Sequence, residues 1–336
     1  MRKILVVAPS WIGDTILAQP LFARLCEKHP GLSLDAFAPA WVAPVLERMP
    51  EVRRVIPNPF AHGEFNLGGR WRAGRELGRE GYDAAIVLPN SWKSALLPLF
   101  AGIPQRIGFL GEARHCLLNR IHKLDAAALP QLAERYAQLA EAPGTLPPRP
   151  LPEPRLAVDD AAVRATLSAL QLAREPAPVV FCPGAEYGPA KRWPAPHFAE
   201  LARALAQAGQ PVWLVGSGKD APVCAEIAAQ AGGACIDLCG KTNLAQAIDL
   251  LSSARLVVSN DSGLMHVAAA LQRPLVALYG SSSPAYTPPL SPRAQIVSLG
   301  IECSPCFKRE CPLGHFRCMN DLTPAMVLQR TREALP

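Results

Sequence analysis

Between Pro143 and Pro154 the chain carries six prolines: Pro143, Pro147, Pro148, Pro150, Pro152 and Pro154. Proline lacks a backbone N–H and has a fixed φ, so this stretch can enter neither a helix interior nor a central strand. It divides the chain into two parts that repeat one pattern. In the first, short apolar runs at 4–8, 32–37, 52–56, 84–88 and 106–109 alternate with helical segments at 13–28, 41–48, 67–80, 91–101 and 129–142. In the second, after a helix at 159–172, runs at 179–182, 212–215, 235–238, 256–258 and 275–278 alternate with helices at 196–208, 221–231, 244–252 and from 263 onward. Strands separated by helices at this spacing make βαβ units and a parallel sheet. The predicted fold class is therefore α/β, with two parallel-sheet domains facing across a cleft. The boundary is expected near 155/156, the linker spans about 143–178, and a final amphipathic helix at 323–334 is a candidate to cross back to the first domain.

Length supports two cores, because a chain of 336 residues exceeds the roughly 250–300 at which single cores stop growing. The apolar fraction of 49% is ample for both. No apolar run approaches the ~20 residues of a membrane span, and the N-terminal Met1–Pro9 segment reads as a strand, not a signal peptide. A cytoplasmic protein is expected. The net charge of +6 is uneven: residues 1–150 hold 18 Lys and Arg against 13 Asp and Glu, and the remainder 16 against 15. The first part should face an anionic partner. Sparse aromatics and the lack of a recognition motif argue against nucleic acid.

Of ten cysteines, six are scattered and read as core residues. Four cluster as Cys303-x2-Cys306-x4-Cys311-x6-Cys318, with His315 between the last two. That spacing fits a small structural zinc knot, or else four reduced thiols or an occasional disulfide.

In parallel α/β sheets ligands bind beyond the carboxyl ends of the strands, and three turns there carry candidate chemistry. Asp261, Ser262 and Gly263 lie between an apolar strand and a helix, where unpaired N–H groups and the helix dipole suit a phosphate, with His266 one turn on. The alternative is a plain N-cap by Asp261 and a surface histidine. Pro183–Pro194 supplies Gly184, Lys191 and Arg192, and a cation there can neutralise charge on a departing phosphate. Ser10–Asp14 follows the first strand with a single glycine, Gly13, which disfavours a pyrophosphate-hugging dinucleotide turn and hence an oxidoreductase. Asp14 reads as a general base for an attacking hydroxyl or, equally, as a helix cap.

Taken with Ala8–Asp14, Ala38–Trp41, Leu88–Ala95, Phe100–Pro104, Cys182–Pro194 and Asn260–His266, the chain resembles the bacterial ADP-heptose:lipopolysaccharide heptosyltransferases, glycosyltransferase family nine, over nearly its full length. Among them it is most similar to the members that act second. The resemblance implies a GT-B fold of two Rossmann-like domains, the first binding acceptor and the second donor. It implies inverting transfer of L-glycero-D-manno-heptose from ADP-heptose to the first heptose of a heptosyl-Kdo2-lipid A acceptor. Asp14 matches the family's proposed base, Lys191 the lysine at the donor phosphates, and Asp261, Ser262, Gly263 and His266 the donor turn. Asp220, in the loop Gly216–Asp220, is the candidate for the donor ribose. Lys93, Arg106 and Arg114 are candidate acceptor-side cations. No cofactor is expected to be obligatory. Because the acceptor is lipid-anchored, reversible contact with the cytoplasmic face of the inner membrane is expected through the basic first domain. The alternatives are a first- or third-acting member of the family, or a nucleotide-sugar binding protein without activity.

Overall fold

The computed structural model describes residues 1–61 and 63–335, which form two compact units, Met1–Pro154 and Arg155–Pro336. In the first unit the strands are β1 (Lys3–Val7), β2 (Ser33–Ala38), β3 (Val52–Pro57), β4 (Ala84–Val87), β5 (Gln105–Phe109) and β6 (Arg120–His122). Its helices are α1 (Ile12–Leu17), α2 (Gln19–Lys28), α3 (Ala43–Leu46), α4 (Leu67–Gly78), α5 (Trp92–Phe100) and α6 (Leu132–Gln138). In the second unit the strands are β7 (Val179–Cys182), β8 (Val212–Leu214), β9 (Ile236–Asp237), β10 (Leu256–Asn260), β11 (Leu275–Tyr279) and β12 (Ala294–Ser298). They are joined by α7 (Asp160–Ala169), α8 (Ala195–Gln207), α9 (Ala221–Ala231), α10 (Leu244–Ser252), α11 (Gly263–Ala270), α12 (Arg317–Asn320) and α13 (Pro324–Ala334).

Among the described residues each unit has one six-stranded sheet, and every neighbouring pair is parallel. The orders are β3-β2-β1-β4-β5-β6 and β12-β11-β10-β7-β8-β9. Numbered from the first strand of each unit, both are the doubly wound order 3-2-1-4-5-6. The order reverses between β1 and β4 in one unit and between β7 and β10 in the other. Crevices at the carboxyl ends of those pairs are the ligand positions of such sheets. The sequence turns after β1, β7 and β10 all fall there.

Central strands are buried on both faces, as crossover helices require. Ile4, Leu5, Val6 and Ala84–Val87 are inaccessible in the first unit, as are Val179–Phe181 and Leu256–Val258 in the second. Several features depart from the sequence expectations. The first long helix is two, α1 and α2, because Pro20 has no N–H to continue the ladder and stands at the start of α2. Two edge strands, β6 and β12, had not been recognised. β6 has only three residues, and only Val297 of β12 is buried, so neither shows a strong apolar run. Helix α13 packs on α8, β10, β11 and β12 of its own unit, burying Val327 in that core. Among the scattered cysteines, Cys182 is buried, but Cys116 is exposed and Cys26 and Cys235 are half-buried. Cys224 and Cys239, also read as separate core residues, form a disulfide.

His122, at the end of β6, is wholly buried, and neither ring nitrogen has a hydrogen-bond partner. Burial, reinforced by Arg120, pushes its pKa down to about 4 from 6.5. An unfolded chain binds a proton here between those values and the folded chain does not, so stability is full above about pH 6.5 and is lost as pH falls toward 4. We expect the wild-type protein to lose roughly 1–3 kcal/mol over this window. His122→Phe, which keeps a ring beside Phe109, should flatten the loss in urea titrations between pH 7 and 4; an unchanged pH slope would reject the assignment.

Candidate active site

The second unit brings the two expected turns together at the β7–β10 switch point. The residue that does so is Asn260, the last of β10 and completely buried. Its amide nitrogen donates to the Pro183 carbonyl at 2.7 Å, and its amide oxygen accepts the Trp193 N–H at 3.1 Å. Both ends of the Pro183–Trp193 turn are thus tied to the end of the neighbouring strand. Trp193 is itself fully buried and donates its indole N–H to the Leu322 carbonyl at 2.7 Å. Sequence reasoning quoted Asn260 without giving it a role. A polar residue closing a buried strand just before Asp-Ser-Gly was the available signal.

With the turns fixed, Lys191 Nζ stands 2.5 Å from Asp261 Oδ2. The Asp261 side chain is 5% exposed and the Lys191 side chain 18%, so this is a largely desolvated pair. Lys191 Nζ also lies 5.2 Å from the centre of the Tyr187 ring, within cation–π range. The expected anion-binding cation is therefore already partnered by the expected anion-facing carboxylate. The pair is neutral overall.

Ser262 occupies the N-cap of α11 and makes no side-chain cap bond. His266 lies one turn on, 4% exposed, with Nε2 4.0 Å from Asp261 Oδ1. Its Nδ1 is buried without a partner. The alternative of an Asp261 cap and a surface histidine is thereby excluded. Burial pushes the His266 pKa down to about 4, against the opposing pull of Asp261 and with the help of Lys191. Near neutral pH this ring offers an N–H, not a positive charge. Gly184 is set by a close approach: a Cβ there would lie 2.4 Å from the Asp220 carboxylate. Asp220 accepts the Ser217 N–H and hydroxyl at 3.0 and 2.8 Å, so its orientation is fixed beside the Pro183–Gly184 turn.

In the first unit Asp14 lies within the first turn of α1, where Trp11 is the N-cap residue and no side chain caps. Asp14 is therefore not the cap. Trp41 donates its indole N–H to the Ser10 carbonyl at 2.8 Å and holds the turn before Asp14. Lys93 is half-buried in the first turn of α5, at the carboxyl end of β4. The two arginines predicted as acceptor contacts are otherwise engaged. Arg114 is completely buried and donates to the carbonyls of Pro89 and Phe109 at 2.7 and 2.6 Å and to that of Ser91 at 3.2 Å. It is a positioning residue for the loop leading into Lys93, and its assignment as an acceptor contact is corrected. Arg106, half-buried, donates to the carbonyls of Leu117 and Ile103, each at 2.8 Å. Cys303, Cys306, Cys311 and Cys318 gather in the second unit around a small cavity that Ala190 also lines.

A family model, glycosyltransferase family 9 (heptosyltransferase), matches residues 70–317. The chain belongs to glycosyltransferase family 9. It is 45% identical over 342 residues to lipopolysaccharide heptosyltransferase 2 of Escherichia coli strain K12, covering 99% of this chain and 98% of that protein. It is 45% identical over 347 residues to lipooligosaccharide heptosyltransferase 2 of Haemophilus influenzae, covering 99% of each. The solved structure of Escherichia coli ADP-heptose lipopolysaccharide heptosyltransferase II superposes with a TM-score of 0.88, at 45% identity over 99% of this chain and 98% of that one. The protein is thus a glycosyltransferase, and its two doubly wound units are those of the GT-B fold.

The buried pair carries a thermodynamic consequence. Lys191→Ala leaves Asp261 desolvated and unpaired and should destabilise the protein by about 3–5 kcal/mol. Adding Asp261→Asn should recover most of that loss, a coupling that urea unfolding of the two single variants and the double variant measures. Additive losses would show that the pair is not coupled.

Proposed function

We propose that the protein transfers L-glycero-D-manno-heptose from ADP-heptose to the first heptose of a heptosyl-Kdo2-lipid A acceptor, with inversion at the anomeric carbon. The observation that carries this reading is the full-length similarity to proteins named heptosyltransferase 2, joined to a turn geometry suited to a nucleoside diphosphate. The acceptor hydroxyl gives its proton to the Asp14 carboxylate as its oxygen attacks the anomeric carbon. The bond to the ADP oxygen breaks in the same displacement.

ADP departs onto the second unit. Its diphosphate draws on Lys191, on the unpaired N–H groups at the start of α11 with Ser262 and Gly263, and on the His266 ring N–H. As negative charge grows on the leaving oxygen, Lys191 shifts its interaction from Asp261 toward the phosphate. This stabilisation is stronger in the transition state than in the ground state, which is what lowers a barrier. Asp220, held by Ser217, is the candidate acceptor of hydrogen bonds from the donor ribose, and Lys93 is the candidate contact for an anionic group on the acceptor. Positive charge from the protein and a helix N-terminus suffice for the leaving group, so no metal is obligatory for the transfer.

Among the described residues no helix is long and apolar enough to cross a membrane. Reversible attachment to the cytoplasmic face of the inner membrane fits the first unit, where α4 exposes Arg72, Arg75 and Arg79 beside Trp71, which is 54% exposed.

Mass analysis of products from ADP-heptose with acceptors carrying no, one or two heptoses tests this reading. Addition only to the one-heptose acceptor is expected. Addition to the heptose-free acceptor would reassign the protein to the first transfer step, and binding of ADP-heptose without transfer would make it a binding protein. Asp14→Asn should cut turnover by roughly 10²–10⁴ with donor affinity little changed. Near-normal turnover would remove Asp14 as the base. Adding Mg²⁺ to enzyme assayed in EDTA should leave the rate unchanged.

A further inference from the structure

The transfer chemistry leaves one cluster of reactive side chains unused: Cys303, Cys306, Cys311 and Cys318. None of the four is in a disulfide, and all are half-buried. With Ala190 and Ser281 they line a cavity of about 20 Å³, space for about one water or a single ion. The loop after Cys311 folds back around its sulfur. The Phe316 N–H donates to Sγ at 3.4 Å, and the Gly314 N–H donates to the Cys311 carbonyl at 3.1 Å. His315 is engaged at one nitrogen, since its Nδ1 accepts the Arg317 N–H at 3.0 Å. His315 also lines the cavity, but with Nδ1 accepting, the neutral ring keeps its proton on Nε2, so the donors left are four sulfurs, which select a tetrahedral thiophilic ion.

A competing group, Cys224, Asp237 and Cys239, is the one among the described residues whose potential ligand atoms all lie within 4.8 Å of one another. Its two sulfurs are bonded to each other and have no thiolate to offer. The four clustered sulfurs are more widely spaced than that, so binding at about 2.3 Å from each must tighten the loops between them.

Those loops also hold the Lys191 turn. Tyr187 donates its hydroxyl to the Phe307 carbonyl at 3.0 Å, and the Ala190 N–H donates to the Arg309 carbonyl at 3.0 Å. Gly188 approaches so closely that a Cβ would stand 2.4 Å from that same carbonyl oxygen. The Arg309 guanidinium and Lys191 Nζ each lie 5.2 Å from the Tyr187 ring centre. On its other side the segment is anchored to the end of β11: the Phe307 N–H donates to the Ser281 carbonyl at 2.7 Å and the Ser304 hydroxyl to the Gly280 carbonyl at 2.5 Å. The segment 303–318 is thus a strap between β11 and the turn that carries Lys191.

We propose that Cys303, Cys306, Cys311 and Cys318 bind one divalent zinc or iron ion as four thiolates, and that the ion braces the strap that positions Tyr187 and Lys191. Each thiol releases its proton to solvent on binding, and no electron is transferred. The positioning half of this inference rests on the donor-phosphate role of Lys191; the metal half does not.

Full-length protein purified without chelator should contain about one equivalent of zinc or iron by elemental mass spectrometry, and the metal found identifies the ion. Cys306→Ser and Cys318→Ser should each lose most of it, while Cys26→Ser and Cys116→Ser keep it. Should the strap variants fail to fold, the wild-type protein answers instead: titration with an organomercurial should release one ion as the clustered thiols are consumed, read with a chromogenic chelator. Metal far below one equivalent with all four thiols freely reactive, or full metal in Cys306→Ser and Cys318→Ser, would overturn the site. Tyr187→Phe should keep the metal and raise the KM for ADP-heptose several-fold with kcat less affected. An unchanged donor KM would overturn the positioning role while leaving the metal count to stand on its own.

Discussion

The geometry at the β7–β10 switch point depends on one buried amide. Asn260 closes β10 inside the core, and its two hydrogen bonds join the end of that strand to both ends of the turn that follows β7. A buried amide left unpaired costs more than an ordinary hydrogen bond contributes, because the lost partner also leaves a desolvated group behind. That penalty selects one arrangement of the two turns. Lys191 and Asp261 come within bonding distance as a result, and the neutral His266 is packed beneath them. The site's electrostatics are thus set by a side chain that has no role in the chemistry.

The same topology serves both units, and it is put to different use in each. Crossover helices bury both faces of each sheet, so only the loops at the strand ends remain for function. At the β1–β4 switch point the first unit presents a carboxylate, Asp14, and a lysine, Lys93, in the first turns of α1 and α5, after loops held by Trp41 and Arg114. At the β7–β10 switch point the second presents a lysine–aspartate pair at a helix N-terminus. A single glycine after β1 and a basic turn after β7 mark this division of labour already at the level of residue type.

Proximity between cation and carboxylate makes the second unit a poised site instead of an open anion trap. Lys191 is not a naked charge awaiting phosphate. Its partner Asp261, 2.5 Å away and almost wholly buried, keeps it oriented. The strap from Cys303 to Cys318 supports this arrangement from behind through Tyr187 and Ala190.

Much of the fold was legible in the chain alone. Period and length of the apolar runs report burial directly, so the central strands and the helices at 221–231 and 244–252 were read where they occur. Pro143–Pro154 marked the division between the units because proline's constraint is local. The turn residues Asp14, Lys191, Asp261 and His266 were readable as candidates because polar side chains next to an apolar run mark a strand end, and the structure sets the last three side by side. Edge strands β6 and β12 were not, since a strand with a single buried residue has no strong pattern of its own and exists through its neighbour. The partners were not legible either. That Arg114 faces the carbonyls of Pro89 and Ser91 in a sealed interior, that Asp261 neutralises Lys191, and that Asn260 joins two turns are contacts between residues 20 to 80 positions apart in the chain. Residue types and their local pattern determined the two α/β units and the chemistry available at their strand ends. Only packing decided which of those groups met, because desolvation and hydrogen-bond pairing act through space and carry no local signature in the sequence.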